Sequence, residues 1–147
     1  MESEFPIKPL VTLVIDPDVG FLRELKNMIA EHPLLTLAQA CRTGKMAQNH
    51  LRAEKVDLII LNPALPDMNG FDLIMSLQDI PPTIVLADRM DYAYYAFRIG
   101  AFDYRTKPMT VNQFRQSLNR VFRAVRQDRE LKALREQANS IPSNPTP

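Results

Sequence analysis

Short apolar runs alternate along this chain with longer stretches whose hydrophobic residues recur at helical spacing. Leu10 to Ile15 is apolar almost throughout and ends at Asp16-Pro17-Asp18. Beyond it Phe21, Leu22, Leu25, Met28 and Ile29 return with the period of one helix face. Pro17 suits a first helical turn, because the N–H it lacks would find no partner there in any case. Leu34 to Ala40 reads as a second strand, Thr43 to Glu54 as a helix with a weaker stripe, and Val56 to Leu61 as a strand covered on both faces. Asn69-Gly70 caps a helix that packs through Phe71, Ile74, Met75 and Ile80, and Pro81-Pro82 stops it. Thr83 to Ala87 is a fourth strand, Asp91 to Ile99 a short helix ended by Gly100, and Phe102 to Tyr104 a brief fifth strand. The final helix begins near Thr110, turns Val111, Phe114, Leu118, Val121, Phe122 and Val125 to the sheet, and runs on towards Asn139.

Five strands interleaved with five helices imply an open parallel sheet covered on both faces, since each helix needs an apolar partner and a right-handed crossover supplies it. The carboxyl ends of the first, third and fifth strands then carry Asp16, Asn62 and the segment from Tyr104 through Lys107 to Pro108. Such a sheet places its cleft there.

Length and composition narrow the picture without specifying chemistry. A chain of 147 residues supports one core of ordinary size. Eighteen Lys/Arg against seventeen Asp/Glu leave a formal charge of +1, so bulk charge favours neither nucleic acid, lipid nor an acidic substrate. The hydrophobic share of 46% excludes a wholly disordered chain, and no apolar run approaches a membrane span. Glu2 and Glu4, with no leading basic region, argue against a secretory signal. The single Cys41 has no partner for an internal disulfide and reads as a buried small hydrophobe, compatible with a reducing cytoplasm. His32 and His50 stand apart with no ligand spacing.

The segment Leu61-Asn62-Pro63-Ala64-Leu65-Pro66-Asp67-Met68-Asn69-Gly70, followed later by Lys107-Pro108, resembles the CheY-like receiver domains of two-component response regulators. The stretch from Asp91 to Pro108 is most similar to receivers that precede a LytTR-type DNA-binding domain. The resemblance implies a three-layer, flavodoxin-like α/β fold with a five-stranded parallel sheet of order 2-1-3-4-5 and five helices, and a cis bond at Lys107-Pro108. The expected organisation is a tail over 1–8, a receiver over 9–126, an extension of the last helix over 127–138, and a disordered linker over 139–147, whose Ser, Asn and Pro content is that of a spacer.

In the family, two acids after the first strand and an acceptor aspartate after the third bind a divalent metal and receive the phosphoryl group. Carried over by position, Asp16 matches the first acid, Pro17 the second and Asn62 the acceptor. Ala87 falls where the family has a phosphoryl-binding hydroxyl. An asparagine amide has a delocalised nitrogen lone pair and an oxygen without full charge, so it cannot replace the anionic nucleophile. One carboxylate is a poor offer for magnesium, which demands hard anionic oxygens. Residual weak magnesium binding through Asp16 and Asp18 stays open as an alternative, although Asp18 also suits an acidic place at a helix start. Lys107 and Tyr104 remain as parts of a remnant pocket, Lys107 free to bond to Asp16 or to the Asn62 carbonyl.

The expected function is therefore a cytoplasmic, non-enzymatic and phosphorylation-independent receiver, working in signal transduction and transcription regulation through protein contacts. Two alternatives stand beside it: a freestanding adaptor for a sensor kinase or other partner, and a conventional phosphoacceptor using an unusual residue. No resident cofactor is expected, and DNA would be met only through a downstream domain. The helix from Asp91 to Ile99 carries more aromatic area than one sheet can bury. With Ala93, Ala96 and Phe97 turned inward, Tyr94 and Tyr95 are left as interface candidates, joined by Arg98 and Tyr104, for self-association or a partner protein. Arg115, Arg120, Arg123, Arg126 and Arg129 read as a solvated helix face, interspersed with acids, in preference to a DNA-binding stripe.

Overall fold

The computed structural model describes residues 8–140. Five parallel strands, β1 (Leu10–Ile15), β2 (Leu35–Cys41), β3 (Leu58–Leu61), β4 (Thr83–Ala87) and β5 (Asp103–Thr106), form one sheet in the order β2-β1-β3-β4-β5. Between them run α1 (Val19–Glu31), α2 (Gly44–Ala53), α3 (Gly70–Met75) and α4 (Ala93–Arg98), and α5 (Val111–Ser140) closes the chain. The predicted fold class and strand order are those observed.

Alternation along the strands divides the core in two. Val14, Leu58, Ile60, Ile84 and Leu86 point to the face covered by α1 and α5, where they meet Leu22, Leu25, Ile29, Phe114, Leu118 and Val121. Their neighbours Leu13, Ile15, Ile59, Leu61 and Val85 point to the other face, against Ala47, Phe71, Ile74 and Ala96 of α2, α3 and α4. A strand with both faces covered has no polar side to show, which is why β3 is uninterrupted Leu-Ile-Ile-Leu.

Several expected details are corrected. Pro17 lies outside α1: Asp18 is the N-cap, its carboxylate accepting from the N–H groups of Gly20 and Phe21. Asn69 caps α3 as expected, but that helix ends at Met75, so Met75 and Ile80 are exposed and Leu73 packs in their place. β3 begins at Leu58, because Asp57 turns its carboxylate onto the N–H of Val11 instead of continuing the strand. α4 is only six residues long, and its sole buried member is Ala96; Ala93 is exposed, and Phe97, expected inward, is 82% exposed. Val111 is exposed at the start of α5, and Ser117 joins the buried face instead. That helix continues to Ser140, taking in the first two residues of the segment expected as linker; 1–7 and 141–147 lie outside the described residues. Among the described residues no helix is long and apolar enough to cross a membrane.

Candidate functional site

The carboxyl ends of β1, β3 and β5 converge. Asp16, 1% exposed, follows β1; its Oδ1 accepts from the N–H of Asp18 at 2.8 Å, and its Oδ2 lies 2.7 Å from the Lys107 ammonium. Lys107 follows β5, held by its own N–H donating to the carbonyl of Ala87 at 2.9 Å, and its bond to Pro108 is cis. Its ammonium also lies 4.0 Å from the centre of the Phe21 ring, a cation–π contact from the α1 side. The Asp16 contact is an ion pair by distance with poor hydrogen-bond angles, which leaves the ammonium electrostatically held but not saturated by acceptors.

Asn62, 2% exposed, sits between these charges. Its Oδ1 accepts from the N–H of Ala64 at 3.0 Å, while its Nδ2 donates towards Asp16 Oδ2 at 3.4 Å and Asp88 Oδ2 at 3.3 Å. The orientation of the amide follows from its neighbours, since the reverse one would set an oxygen against two carboxylates and a nitrogen against an N–H. Asparagine here serves as a neutral bridge between two acids, a role an aspartate could not fill without like-charge repulsion.

The same geometry bears on metal binding. Pro17 contributes no side-chain oxygen, and its carbonyl accepts from Arg42 Nε at 3.4 Å. Asp18 spends its carboxylate on capping α1, Asp16 already faces an ammonium, and Asn62 presents N–H donors to the acids. These residues do not fit a hard divalent cation, which needs several anionic oxygens free to converge. Among the described residues no group of three or more His, Cys, Asp or Glu side chains is placed to hold a metal.

Asp88 was not singled out in the sequence, where it looks like an ordinary loop acid after β4. It lies 3.7 Å from the Lys107 ammonium as well as bridging to Asn62. Its place at the carboxyl end of a central strand was the available signal. Ala87, fully buried at the end of β4, has no side-chain polar atom and meets the pocket through its carbonyl, which accepts from the N–H of Lys107. Tyr104 packs partly buried against the second core, and its hydroxyl donates to the carbonyl of Arg89. It is thereby tied to the β4–α4 loop.

Around this pocket the loops are anchored by backbone N–H groups. The Asp67 carboxylate accepts from the N–H of Gly44 at 2.8 Å and of Lys45 at 2.9 Å, so the β3–α3 loop caps the start of α2. Those two N–H groups hold its pKa below the usual carboxylate value. Asp103 collects Ser117, Arg105 and Arg120, joining β5 to α5. Burial pushes the Cys41 thiol up to about 11, so it is no thiolate at neutral pH.

The aromatic cluster on α4 divides into supported and free rings. Tyr92 and Tyr95 lie against Phe71 of α3, at 5.9 and 5.6 Å between ring centres. Tyr95 nevertheless stays 52% exposed, and Tyr94, 62% exposed, meets its ring edge-on and carries Arg98 6.0 Å from its own centre. Phe97 and Met90 add apolar surface that was not expected.

The family model for the response regulator receiver domain matches residues 12–119. The transcriptional regulatory protein CitT of Halalkalibacterium halodurans is 31% identical over 134 residues, covering 86% of this chain and 56% of that protein. The sensory transduction protein LytT of Enterococcus faecalis is 28% identical over 135 residues, covering 90% and 51%. This chain thus spans about half the length of these curated relatives. Among solved structures, the signal receiver domain of an HD domain-containing protein from Pseudomonas fluorescens Pf-5 superposes with a TM-score of 0.75 at 23% identity, over 88% of this chain and 98% of that one, a likeness of fold.

Proposed function

This chain belongs to the response regulator receiver domain family, and from that premise we propose that it is an atypical receiver which signals through protein contacts without accepting a phosphoryl group at position 62. Receiver domains are regulatory signalling modules and not enzymes. The observation that carries the reading is Asn62 at the end of β3, its amide bridging Asp16 and Asp88 while Lys107 is held against Asp16. Asp16, Asn62 and Lys107 are each held by another side chain of the same pocket, and Asp18 is turned to the start of α1. The arrangement resembles a permanently set switch: internal charges occupy the place of the incoming anion and cation.

A magnesium titration followed by thermal unfolding tests this. Magnesium at millimolar concentration is expected to leave Tm where matched ionic strength from a monovalent salt leaves it. A saturable, magnesium-specific rise in Tm would overturn the reading, because a ligand that binds only the folded state must stabilise it.

The receiver is further proposed to form the input part of a transcription regulator of LytTR type. The kinship with the proteins named transcriptional regulatory protein CitT and sensory transduction protein LytT supports that reading. The working surface is assigned to α4, β5 and α5, with Tyr94, Tyr95, Arg98 and Tyr104 meeting a second copy or a partner protein. Tyrosines already supported by Phe71 cost little entropy to bury in a contact, which favours them as anchors. If a symmetric contact uses this face, Tyr95→Ala weakens association by about 1–3 kcal/mol. Light scattering across concentration checks it against Lys26→Ala on α1, with monomer stability measured separately. Unchanged association in Tyr95→Ala and in a Tyr94/Arg98 double variant would remove the face from consideration.

A further inference from the structure

The second half of α5 does not pack on the sheet: Leu131 is 53% and Leu134 60% exposed, whereas the buried residues of this helix end at Phe122. The exposed apolar positions are not scattered. Leu131, Leu134 and Ala138 follow one another by three and four residues, the a and d spacing of a heptad; the polar Gln127 holds the preceding d position, and Ile141 continues the series in the sequence. At about 100° per residue this seam centres roughly 140° around the helix from the face that buries Phe114, Ser117, Leu118, Val121 and Phe122. It therefore looks away from the receiver body, where a second helix can approach without meeting the sheet or α1.

The flanking charges specify the occupant. With Leu131 at a and Leu134 at d, the charged g positions are Arg123 and Glu130, the uncharged Gln137 being the third, and the e positions are Arg135 and Asp128, which also pairs with Lys132 of its own helix at 3.2 Å. In a parallel two-stranded coil each g residue faces the e residue five positions on in the other helix. Arg123 would then face the second copy's residue 128, an aspartate, and Glu130 its residue 135, an arginine. Both pairs are of opposite sign in a self-pairing, and all four residues are exposed.

We propose that residues 123–140 of α5 form a parallel two-stranded coiled coil with the same helix of a second copy, apolar at Leu131, Leu134 and Ala138 and fixed in register by the Arg123–Asp128 and Glu130–Arg135 pairs. The seam is short, so the coil is a reversible contact. It also orients two receivers side by side with their helix ends together. This contact uses only the second half of α5 and none of the pocket residues, nor Tyr94, Tyr95, Arg98 or Tyr104.

Sedimentation velocity on the full 147-residue chain tests it with Glu130→Arg and Arg135→Glu, separately and mixed. The unchanged chain is expected to show concentration-dependent dimerisation. Either single variant sets like charges opposite each other twice per dimer and is expected to weaken it about tenfold or more. An equimolar mixture of the two variants restores opposite signs at both places and is expected to recover dimer, which altered helix stability cannot do. A monomeric unchanged chain, single variants that associate as before, or a mixture that fails to recover would each overturn the proposal. Recovery on mixing should persist when both variants also carry Tyr95→Ala, which separates this contact from the α4 face.

Discussion

Replacing Lys107 by methionine is expected to lower stability by about 3 kcal/mol, the low end of the range for breaking a buried ion pair by removing one partner. The loss arises less from the pair itself than from what remains. Asp16 is 1% exposed, and without the ammonium at 2.7 Å it must either stay charged in a dry site or take up a proton. The N–H of Asp18 and the more distant Asn62 amide still reach it, which places the effect at the low end. Asp88 offers no compensation, being a second negative charge. Asp16→Asn removes the charge that Lys107 neutralises, so the double variant should recover about 1–3 kcal/mol relative to the sum of the single losses. Urea unfolding of the four proteins gives the cycle; a Lys107→Met loss below about 0.5 kcal/mol, the level of an ordinary surface substitution, would show that the pair holds nothing together.

A loss of about 3–5 kcal/mol is expected for Phe114→Ala, the range for truncating a buried aromatic. Phe114 is 2% exposed in the core beneath α1 and α5, where it shares one hydrophobic cluster with Val14, Leu58, Ile60, Ile84 and Leu86 of the strands. Its ring sits in the first turns of α5, so its removal opens a cavity where that helix is fixed to the sheet. Phe114→Leu, which keeps most of the volume, should cost markedly less. Equilibrium unfolding at a concentration where the chain is monomeric distinguishes this from any effect on association. Equal losses for the two substitutions would mean that packing at this position does not anchor α5.

The fold was legible because its signals are local and repeated. β1 carries an apolar run bounded by Asp16-Pro17-Asp18, and its observed limits are those the run suggests. The cis bond at Lys107-Pro108 and the cap at Asn69 were legible from the motif that contains them. Misjudged positions are those whose environment depends on where a short helix ends and which of its faces meets the sheet. Met75, Ile80 and Phe97 continue plausible apolar stripes, but Met75 and Phe97 stand on the outer faces of six-residue helices whose inner faces are held by Leu73, Ile74 and Ala96, and Ile80 lies beyond the end of α3. In the pocket, the residue types at 16, 17, 62, 87 and 107 could be read directly. The orientation of the Asn62 amide and the participation of Asp88 could not, because both follow from three strand ends meeting in space.

The proposed phosphorylation-independence rests on position 62 most of all. Incubating the chain with a small phosphodonor and magnesium, beside a competent receiver as a positive control, and reading intact mass under conditions that preserve acyl phosphates tests it directly. The expected result is an unchanged mass for this chain while the control gains one phosphoryl group. Stoichiometric gain of a phosphoryl group by this chain would contradict the claim that its pocket is closed by its own charges.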